Sequence, residues 1–339
     1  MIKEKHMRSR TPNVAWKILS ALLMTAIFCA LGALSHAAPQ SKQETARSTQ
    51  KGFATPEQAA QGLIQATESY NVPALLEILG PDGKDLVASE NPVDDKSRAA
   101  AFAKLAHEKH LISLDPKNRS RAELLVGNDD WPLPIPIVKR SGEWYYDSKS
   151  GRQEILFRRI GEDELHAIQV CRGFVEAQYE YAWDTHGDAD VTQYAQRIIS
   201  TPGKHDGLAW KNADDTWGGP IGPEVAKALE QGYTPQSQPQ PYHGYYFKVL
   251  KGQGPAAPKG QMDFMVGGAM IGGFALAAAP AQYRVTGVKT FIVGPSGIVY
   301  EKDLGPDTLK LFQSMDRFNP DKAWRPTKDE WPAVAVSTE

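Results

Sequence analysis

A polar loop and an aromatic strand carry the residue types that could do chemistry. In the loop DTHGDAD, which follows a long helical pattern, four side chains with metal-binding atoms alternate: Asp184, His186, Asp188 and Asp190. Oxygen ligands gathered in a loop in this way are typical of calcium sites. The glycine and glutamate of a standard EF-hand loop are both replaced by alanine. Asp184, Asp188 and Asp190 are therefore candidate calcium ligands, with a solvated acidic loop as the alternative.

The second stretch is the aromatic segment YHGYYF, which begins at Tyr242. Alternate residues of a strand face the same way, so His243 and Tyr245 could line one face of a groove that binds a ligand, with Tyr242 beside them. The alternative is that the aromatic rings pack inside a sheet, where such residues are common. We keep these three residues as candidate ligand-binding residues.

Other motifs in the chain lack parts that their chemistry needs. The stretch KGQGPAA at residues 251–257 resembles a dinucleotide fingerprint, but its prolines prevent the helix that must follow. The glycine pairs within residues 267–273 are not followed by the Lys-Ser or Lys-Thr pair of a phosphate-binding loop. Ser296 lies in a turn and lacks the G-x-S-x-G spacing of a nucleophile elbow. His107 and His110 are three residues apart, unlike the zinc-binding pair of H-E-x-x-H. The sequence therefore predicts no catalytic residue and no cofactor beyond calcium.

The N-terminus has the pattern of an export signal. A basic stretch precedes an apolar stretch at residues 18–34, and Ser35-His36-Ala37 forms a small-x-small cleavage site. We predict a signal peptide over residues 1–37 and a periplasmic or secreted protein, with an uncleaved membrane anchor as the alternative. Cleavage would remove five of the 38 basic and one of the 40 acidic residues, leaving a net charge near −6. This charge disfavours nucleic-acid partners. Cys171 would be the one remaining cysteine and is predicted to be a buried apolar side chain.

The periodicities predict an α+β fold with two domains. A flexible leader, residues 38–52, precedes an N-terminal domain at 53–150, with helices near 56–70, 72–79 and 93–110 and strands at 122–126, 132–139 and 143–147. Three prolines predict an edge position for the strand at 132–139. In the C-terminal domain, at 151–326, a long helix reaches residue 183, a second helix covers 191–200, and a final helix covers 306–318. Strands are predicted at 242–250, 287–293 and 298–302, and residues 327–339 form a tail.

The run from Phe264 to Ala281 contains no charged residue and two glycine pairs. A membrane span here would separate the final hairpin and helix from the sheet that they should join. We therefore predict strands at 264–266 and 270–278 around the turn Gly267-Gly268, buried on both faces. The mature chain then has no predicted membrane span.

Long stretches identify a family. The segments GNDDWPLPIPIVKRSGEWYYDSKSG, YAQRIISTPGKHDGLAW, PYHGYYFKVL and TGVKTFIVGPSGIVYEKDLGPDT resemble the bacterial exported family known as Domain of Unknown Function 2950, over about residues 53–326. This resemblance implies no activity and no catalytic residue. The second half is also similar to type IV pilin-like globular domains, which implies a long helix on an antiparallel sheet. The element order of the first half resembles the nuclear-transport-factor-like group.

Three functions remain open at this level. The first is a non-catalytic binding or envelope-associated protein with a periplasmic or envelope partner. The second is an enzyme, such as a hydrolase, with a cryptic site between the domains. The third is an accessory protein of a pilus or secretion system. The absence of complete catalytic motifs favours the first.

Overall fold

The computed structural model describes residues 50–88, 92–185, 191–223, 226 and 240–328. Helices and antiparallel sheets alternate along the chain, which confirms the predicted α+β class. Contacts divide the chain into two compact units, with the boundary between Arg159 and Ile160. The domain limits derived from the sequence, with their boundary between residues 150 and 151, stay a prediction. The predicted signal peptide and most of the leader and tail lie outside the described residues.

The first two helices begin after residues whose side chains cap them, Thr55 and Asn71. The first starts after Thr55, whose side chain accepts a hydrogen bond from the backbone N–H of Gln58, and Pro56 occupies its first turn. The bounds are α1 Pro56–Glu68, α2 Val72–Leu79, α3 Lys84–Val87, α4 Pro92–Glu108, α5 Ser148–Tyr181 and α6 Thr308–Ser314.

The first unit contains one antiparallel sheet. Its strands are β1 His110–Leu114, β2 Arg121–Val126, β3 Trp131–Pro132, β4 Ile137–Arg140 and β5 Glu143–Tyr146. They follow the order β1-β2-β4-β5, with β3 also paired to β2. The buried faces of β2 and β5 pack with α1 and α2 in one core. Within this core the Tyr146 hydroxyl donates to the backbone oxygen of Ala59 at 3.2 Å, which ties β5 to α1.

The second unit is built mainly of strands. They are β6 Arg197–Ile199, β7 Gly207–Lys211, β8 Trp217–Gly218, β9 Tyr245–Leu250, β10 Gly252–Gln253, β11 Met262–Asp263, β12 Met265–Val266, β13 Ala269–Met270, β14 Ala275–Pro280, β15 Lys289–Val293, β16 Val299–Asp303, β17 Arg317–Phe318 and β18 Arg325–Pro326. The largest sheet has the order β18-β16-β15-β14-β9 and is antiparallel throughout. A smaller sheet has the order β6-β7-β8.

The core of the second unit forms between its five-stranded sheet and the C-terminal part of α5. Ile168, Cys171 and Val175 are buried on the helix, as the helical period predicts. Cys171 is fully buried, and burial raises the pKa of its thiol to about 12. The thiol is therefore protonated at neutral pH and serves as an apolar core side chain.

The glycine-rich run forms strands. β12 and β13 pair across Gly267 and Gly268, whose positive φ values of 58° and 87° suit glycine in a tight turn. All six residues of β14 are buried, and β14 lies between β9 and β15. The predicted glycine turn between two strands is confirmed, and so is a strand buried on both faces within the predicted range 270–278. The predicted strand at 270–278 is interrupted at residues 271–274, however, and Val266 in the first strand is exposed rather than buried. Among the described residues, no helix combines the length and apolar character that a membrane crossing requires.

The predicted helix at 191–200 is wrong. The backbone there is extended and ends in the strand β6. The side-chain amide of Gln178 donates to the oxygen of Ala195 at 2.9 Å and accepts from its N–H at 2.8 Å. The N–H of Tyr194 donates to Met270. Partners distant in sequence therefore satisfy the backbone groups that a helix would have paired locally.

The predicted edge position of the strand at 132–139 is also wrong. The strand breaks after β3 and resumes at β4, which lies between β2 and β5. All three prolines precede β4, so none removes a donor from its ladder. The strand β1 was not predicted, because its alternation of buried and exposed residues is weak.

Candidate functional site

A cavity in the first unit has a volume of about 580 Å³. It lies between α1, α2, α4, the N-terminal part of α5 and the segment that joins β3 to β4. Most of its wall is apolar, with side chains such as Leu63, Leu75, Leu79, Phe102, Ile135 and Leu156. Small-molecule sites commonly have this size and this mostly apolar lining.

Two helices each contribute one face to the cavity wall. Residues Asp95, Arg98, Ala99 and Phe102 of α4 line it at the spacing of one helical face. On α5 the residues are Arg152, Ile155, Leu156 and Arg159. The two arginines are seven residues apart, which places them about 10 Å apart along the helix. An apolar stretch therefore separates two cationic positions on this wall.

The start of α5 is close to the opposite wall. A Cβ atom on Gly151 would lie 2.8 Å from Cγ1 of Ile135, so glycine at this position permits the approach. Ser148 donates from its hydroxyl to the backbone oxygen of Leu79 at 2.7 Å. These contacts fix the helix start against α2 and against the segment after β3.

Trp131 contributes an aromatic wall that α5 holds in place. The guanidinium of Arg158 lies 4.6 Å from the centre of the Trp131 ring. It also donates from Nη1 to the backbone oxygen of Pro132 at 2.7 Å and from Nε to Oε1 of Glu154 at 2.8 Å. The stacking and the two hydrogen bonds restrain both the indole and the guanidinium.

Cations outnumber carboxylates around the cavity. The lining contains Arg98, Lys149, Arg152 and Arg159 against Asp85 and Asp95. Arg152 and Asp85 form a two-pronged ion pair, with Nε 2.8 Å from Oδ2, and its hydrogen bonds raise the pKa of Arg152. This ion pair compensates one charge of each sign. Arg98 and Arg159 take part in further interactions, and Lys149 is the exposed cation of the lining.

Asp95, the second carboxylate of the cavity lining, is buried. It is 8% exposed and takes part in further interactions within the unit. Desolvation, with a smaller contribution from the charge of Asp95, raises the pKa of Tyr70, another lining residue. Tyr70 is therefore a neutral hydroxyl at physiological pH, which suits hydrogen bonding.

The predicted ligand-binding residues lie in the second unit, away from this cavity in sequence. Tyr242 and Tyr245 form a backbone bridge, with a turn at His243 and Gly244, both of which have positive φ. Tyr245 is fully buried and donates from its hydroxyl to the oxygen of Lys289 at 2.9 Å. Tyr242 is half-buried and His243 is exposed. The structure thus brings Tyr242 and His243 together at the surface and places Tyr245 in the core.

His243 has a neighbour that the sequence alone did not connect with it. The ring of His166, on α5, has its centre 4.4 Å from that of His243, and the ring of Tyr242 lies at the same distance. The side of the His243 ring that faces His166 and Tyr242 is shielded from water, and this partial burial, with a smaller contribution from His166, lowers the pKa of His243. Nδ1 of His166 is buried and has no hydrogen-bond partner among the described residues.

The candidate calcium ligands are described only in part. Asp184 is exposed just after α5, whereas Asp188 and Asp190 lie outside the described residues. In the described part of the chain, no group of three or more acidic, histidine or cysteine side chains could hold a metal ion. Calcium binding by this loop therefore stays a prediction.

The cavity was not predicted, although part of its signal is present in the sequence. The spacing of Arg152, Ile155, Leu156 and Arg159 marks one face of a helix with cations at both ends. The sequence alone does not show that Ala99, Phe102 and residues after β3 lie opposite this helix face and form the other wall of the cavity.

Comparison with known proteins places the chain in a family. The model of a protein family of unknown function (DUF2950) matches residues 50–327. The match covers well over half of the chain, so this protein belongs to the DUF2950 family, as the sequence motifs predict. No curated protein and no solved structure matches the chain. The likenesses to pilin-like and nuclear-transport-factor-like domains stay predictions.

Proposed function

We propose that this DUF2950 protein is an exported, non-catalytic binding protein whose first unit takes up a small amphipathic anion. The observation that carries the proposal is the cavity of about 580 Å³, which combines an apolar wall with an excess of cationic side chains. The expected ligand has a hydrocarbon body and one carboxylate or phosphate group.

The apolar wall supplies the binding free energy. Each methylene group that moves from water into such a cavity contributes about 0.8 kcal/mol, equivalent to roughly fourfold in affinity. Leu63, Leu75 and Leu79 come from α1 and α2, which the core of the unit holds in place. The wall is thus formed largely before the ligand arrives, which reduces the entropic cost of binding.

The cationic groups supply selectivity for the charged end. Arginine pairs with carboxylate and phosphate through two parallel hydrogen bonds, and these are stronger than bonds between neutral groups. Lys149 lies on the exposed rim, whereas Arg98 and Arg159 are half-buried. Arg98 and Arg159 already take part in other interactions, so the anionic group of a ligand would contact Lys149 at the rim while its apolar body extends inward.

Polar lining groups are arranged for binding rather than for reaction. The carboxylate of Asp85 is engaged by Arg152, and the hydroxyl of Thr67 donates to the backbone oxygens of Leu63 and Ile64 at 2.9 Å. These engagements support a non-catalytic role.

The test is fluorescence titration of the chain lacking residues 1–37 with dansylaminoundecanoic acid. We expect saturable binding, and competition by octanoate, decanoate and dodecanoate should strengthen by about fourfold per methylene. Ala99 lines the cavity, whereas its neighbour Ala100 is exposed and does not. Ala99→Trp should therefore weaken probe binding at least tenfold, and Ala100→Trp should leave it unchanged. Equal affinities in both variants, or no dependence on chain length, would contradict the proposal.

The anionic group has its own test. Dodecanoate should compete at least tenfold better than dodecanamide, which has the same chain and no charge. Lys149→Gln should reduce this ratio, whereas Lys104→Gln, on an exposed position of α4 outside the cavity, should preserve it. If dodecanoate and dodecanamide compete equally well for the wild-type protein, the cavity does not recognise the anionic group, and its ligands are neutral apolar molecules.

Export is the remaining part of the proposal, and the basic-apolar-small pattern of residues 1–37 supports it. Expression of the full chain in a Gram-negative host, followed by fractionation and N-terminal sequencing, should place the protein in the periplasm with a new N-terminus at Ala38. Recovery from the cytoplasm with Met1 intact would refute it.

A further inference from the structure

The sheet of the first unit has one strand edge that the described chain leaves open. β1 stands at one end of the order β1-β2-β4-β5, and β2 is its ladder partner. At the other end the chain covers the edge itself, because Phe53 exchanges backbone hydrogen bonds of 2.9 Å and 2.7 Å with Trp144 of β5. The two edges therefore differ: β5 has a further backbone partner, and β1 has none among the described residues.

The outward backbone groups of β1 belong to alternate residues. Lys109, just before the strand, and Asp115, just after it, form backbone hydrogen bonds on the side of β2, so the odd-numbered residues of this stretch face β2. In an antiparallel ladder the backbone groups of the residues between them point the other way. His110, Ile112 and Leu114 thus present their N–H and C=O groups at the edge. None of these groups has a hydrogen-bond partner among the described residues.

The side chains of β1 contain nothing that would keep a second strand away. Natural proteins commonly protect an edge strand with lysine, proline or a bulge. The strand sequence HLISL contains neither lysine nor proline, and its register with β2 is uninterrupted. Leu114 is 50% exposed and Ile112 is half-buried, and both lie on the face whose β2 residues are buried. An added strand would therefore extend the apolar face of the sheet.

The outward groups of β1 are complementary to those of a second copy of the strand. If two copies pair antiparallel with Ile112 at the two-fold axis, Ile112 faces its equivalent and Leu114 faces the partner subunit's His110. In this register the outward groups of all three residues find hydrogen-bond partners. A register shifted in either direction leaves some of these groups unpaired. The strand therefore fits itself best when the pairing is centred on Ile112.

Charges at the two ends of the strand fit the same register. Lys109 and Asp115 are equally distant from Ile112 in the sequence, so each Lys109 would lie opposite the partner subunit's Asp115. Lys109 forms an exposed ion pair with Asp130 at 2.6 Å, but its ammonium group has three donors and can approach a second carboxylate. Oδ1 of Asp115 accepts from two backbone N–H groups of the following turn, which leaves Oδ2 for the lysine. A parallel pair in register would instead place like charges together.

We propose that two copies of this chain form a dimer through antiparallel pairing of β1, which joins the sheets of their first units into one continuous sheet. The paired strands are short, with five residues each, so we expect a weak association at micromolar concentrations. Main-chain hydrogen bonds and the apolar contacts of Ile112 and Leu114 supply the affinity, and the flanking charges select the register. The proposal is independent of the ligand proposed for the cavity.

The test is sedimentation equilibrium, across micromolar concentrations, of the chain lacking residues 1–37, none of which the described structure includes. The wild-type chain should show a monomer–dimer equilibrium. Leu114→Pro should weaken association at least tenfold, because proline lacks the outward N–H of this position, whereas an edge strand tolerates it. Leu114→Ala keeps this N–H and should retain most of the association. Equal association of the two variants would overturn the proposal. So would a wild-type monomer at every concentration, which would leave the edge to a strand of another protein.

A pair of charge reversals tests the register. Lys109→Glu and Asp115→Lys each place like charges together at both ends of the paired strands, so each variant alone should associate with itself about fivefold more weakly or worse. An equimolar mixture of the two should recover association, because opposite charges face each other again in the mixed dimer. Lys139→Glu, at an exposed position of β4, which β2 separates from β1, should leave association unchanged. Circular dichroism and urea unfolding check that each variant is folded. Folded variants that show no recovery on mixing would overturn the antiparallel pairing.

Discussion

Three glycines of α5 should respond in opposite ways to replacement by alanine. A Cβ atom on Gly151 would lie 2.8 Å from Cγ1 and 3.2 Å from Cα of Ile135. A Cβ atom on Gly161 or Gly173 would meet nothing within 4 Å. All three residues lie within the same helix, so each substitution removes the same conformational freedom from the unfolded chain.

The magnitudes follow from two competing effects. Replacing glycine by alanine inside a helix stabilises it by about 0.5–1 kcal/mol. Gly161→Ala and Gly173→Ala should therefore each raise the free energy of unfolding by this amount. At Gly151 the added methyl group overlaps Ile135 and its backbone, and overpacking of this kind costs about 1–3 kcal/mol. Gly151→Ala should therefore lower the free energy of unfolding by up to about 2 kcal/mol.

The assay is urea unfolding of each variant, followed by circular dichroism and tryptophan fluorescence. Because Ile135 lines the cavity, Gly151→Ala should also weaken binding of dansylaminoundecanoic acid, and Gly161→Ala should not. If Gly151→Ala stabilises the protein as much as the other two and leaves probe binding unchanged, then the close approach of α5 to Ile135 is not a property of the protein in solution.

Two further predictions concern the second unit. Gln178→Ala should lower the free energy of unfolding by about 2–6 kcal/mol, because the two backbone groups of the buried Ala195 lose their partner at about 1–3 kcal/mol each. Gln169→Ala, at an exposed position of the same helix, should change it little in the same urea titration. Because the pKa of His243 is lower in the folded state than in the unfolded state, the unfolded chain binds a proton at this residue more readily. The free energy of unfolding should therefore decrease as the pH falls below about 6.5, the pKa of an unperturbed histidine. His243→Asn, which tolerates the positive φ, should reduce this dependence in urea titrations between about pH 7.5 and about pH 5, and an unchanged pH slope would contradict the assignment to His243.

Local patterns predicted the fold where the backbone bonds locally or where burial is periodic. The cap at Thr55, the glycine turn at 267–268 and the buried strand β14 were all readable in this way. The predicted helix at 191–200 was wrong because Gln178 and Met270 satisfy the backbone there, and neither partner is near in sequence. The predicted ligand residues mark a real surface turn at Tyr242 and His243, but Tyr245 packs in the core.

By itself the sequence determined the family, the α+β class, the position of most helices and of most strands in the two five-stranded sheets, and the apolar character of Cys171. The family rests on the resemblance of long segments. The class, the elements and the character of Cys171 depend on composition, on periods of two or 3.6 residues, and on capping and turn residues, which act within a few positions. Tertiary structure alone decided that α4 and α5 face each other across a cavity and that His166 meets His243. Each of these needs residues far apart in sequence to become neighbours, and that proximity arises only when the separate elements bury their apolar faces together.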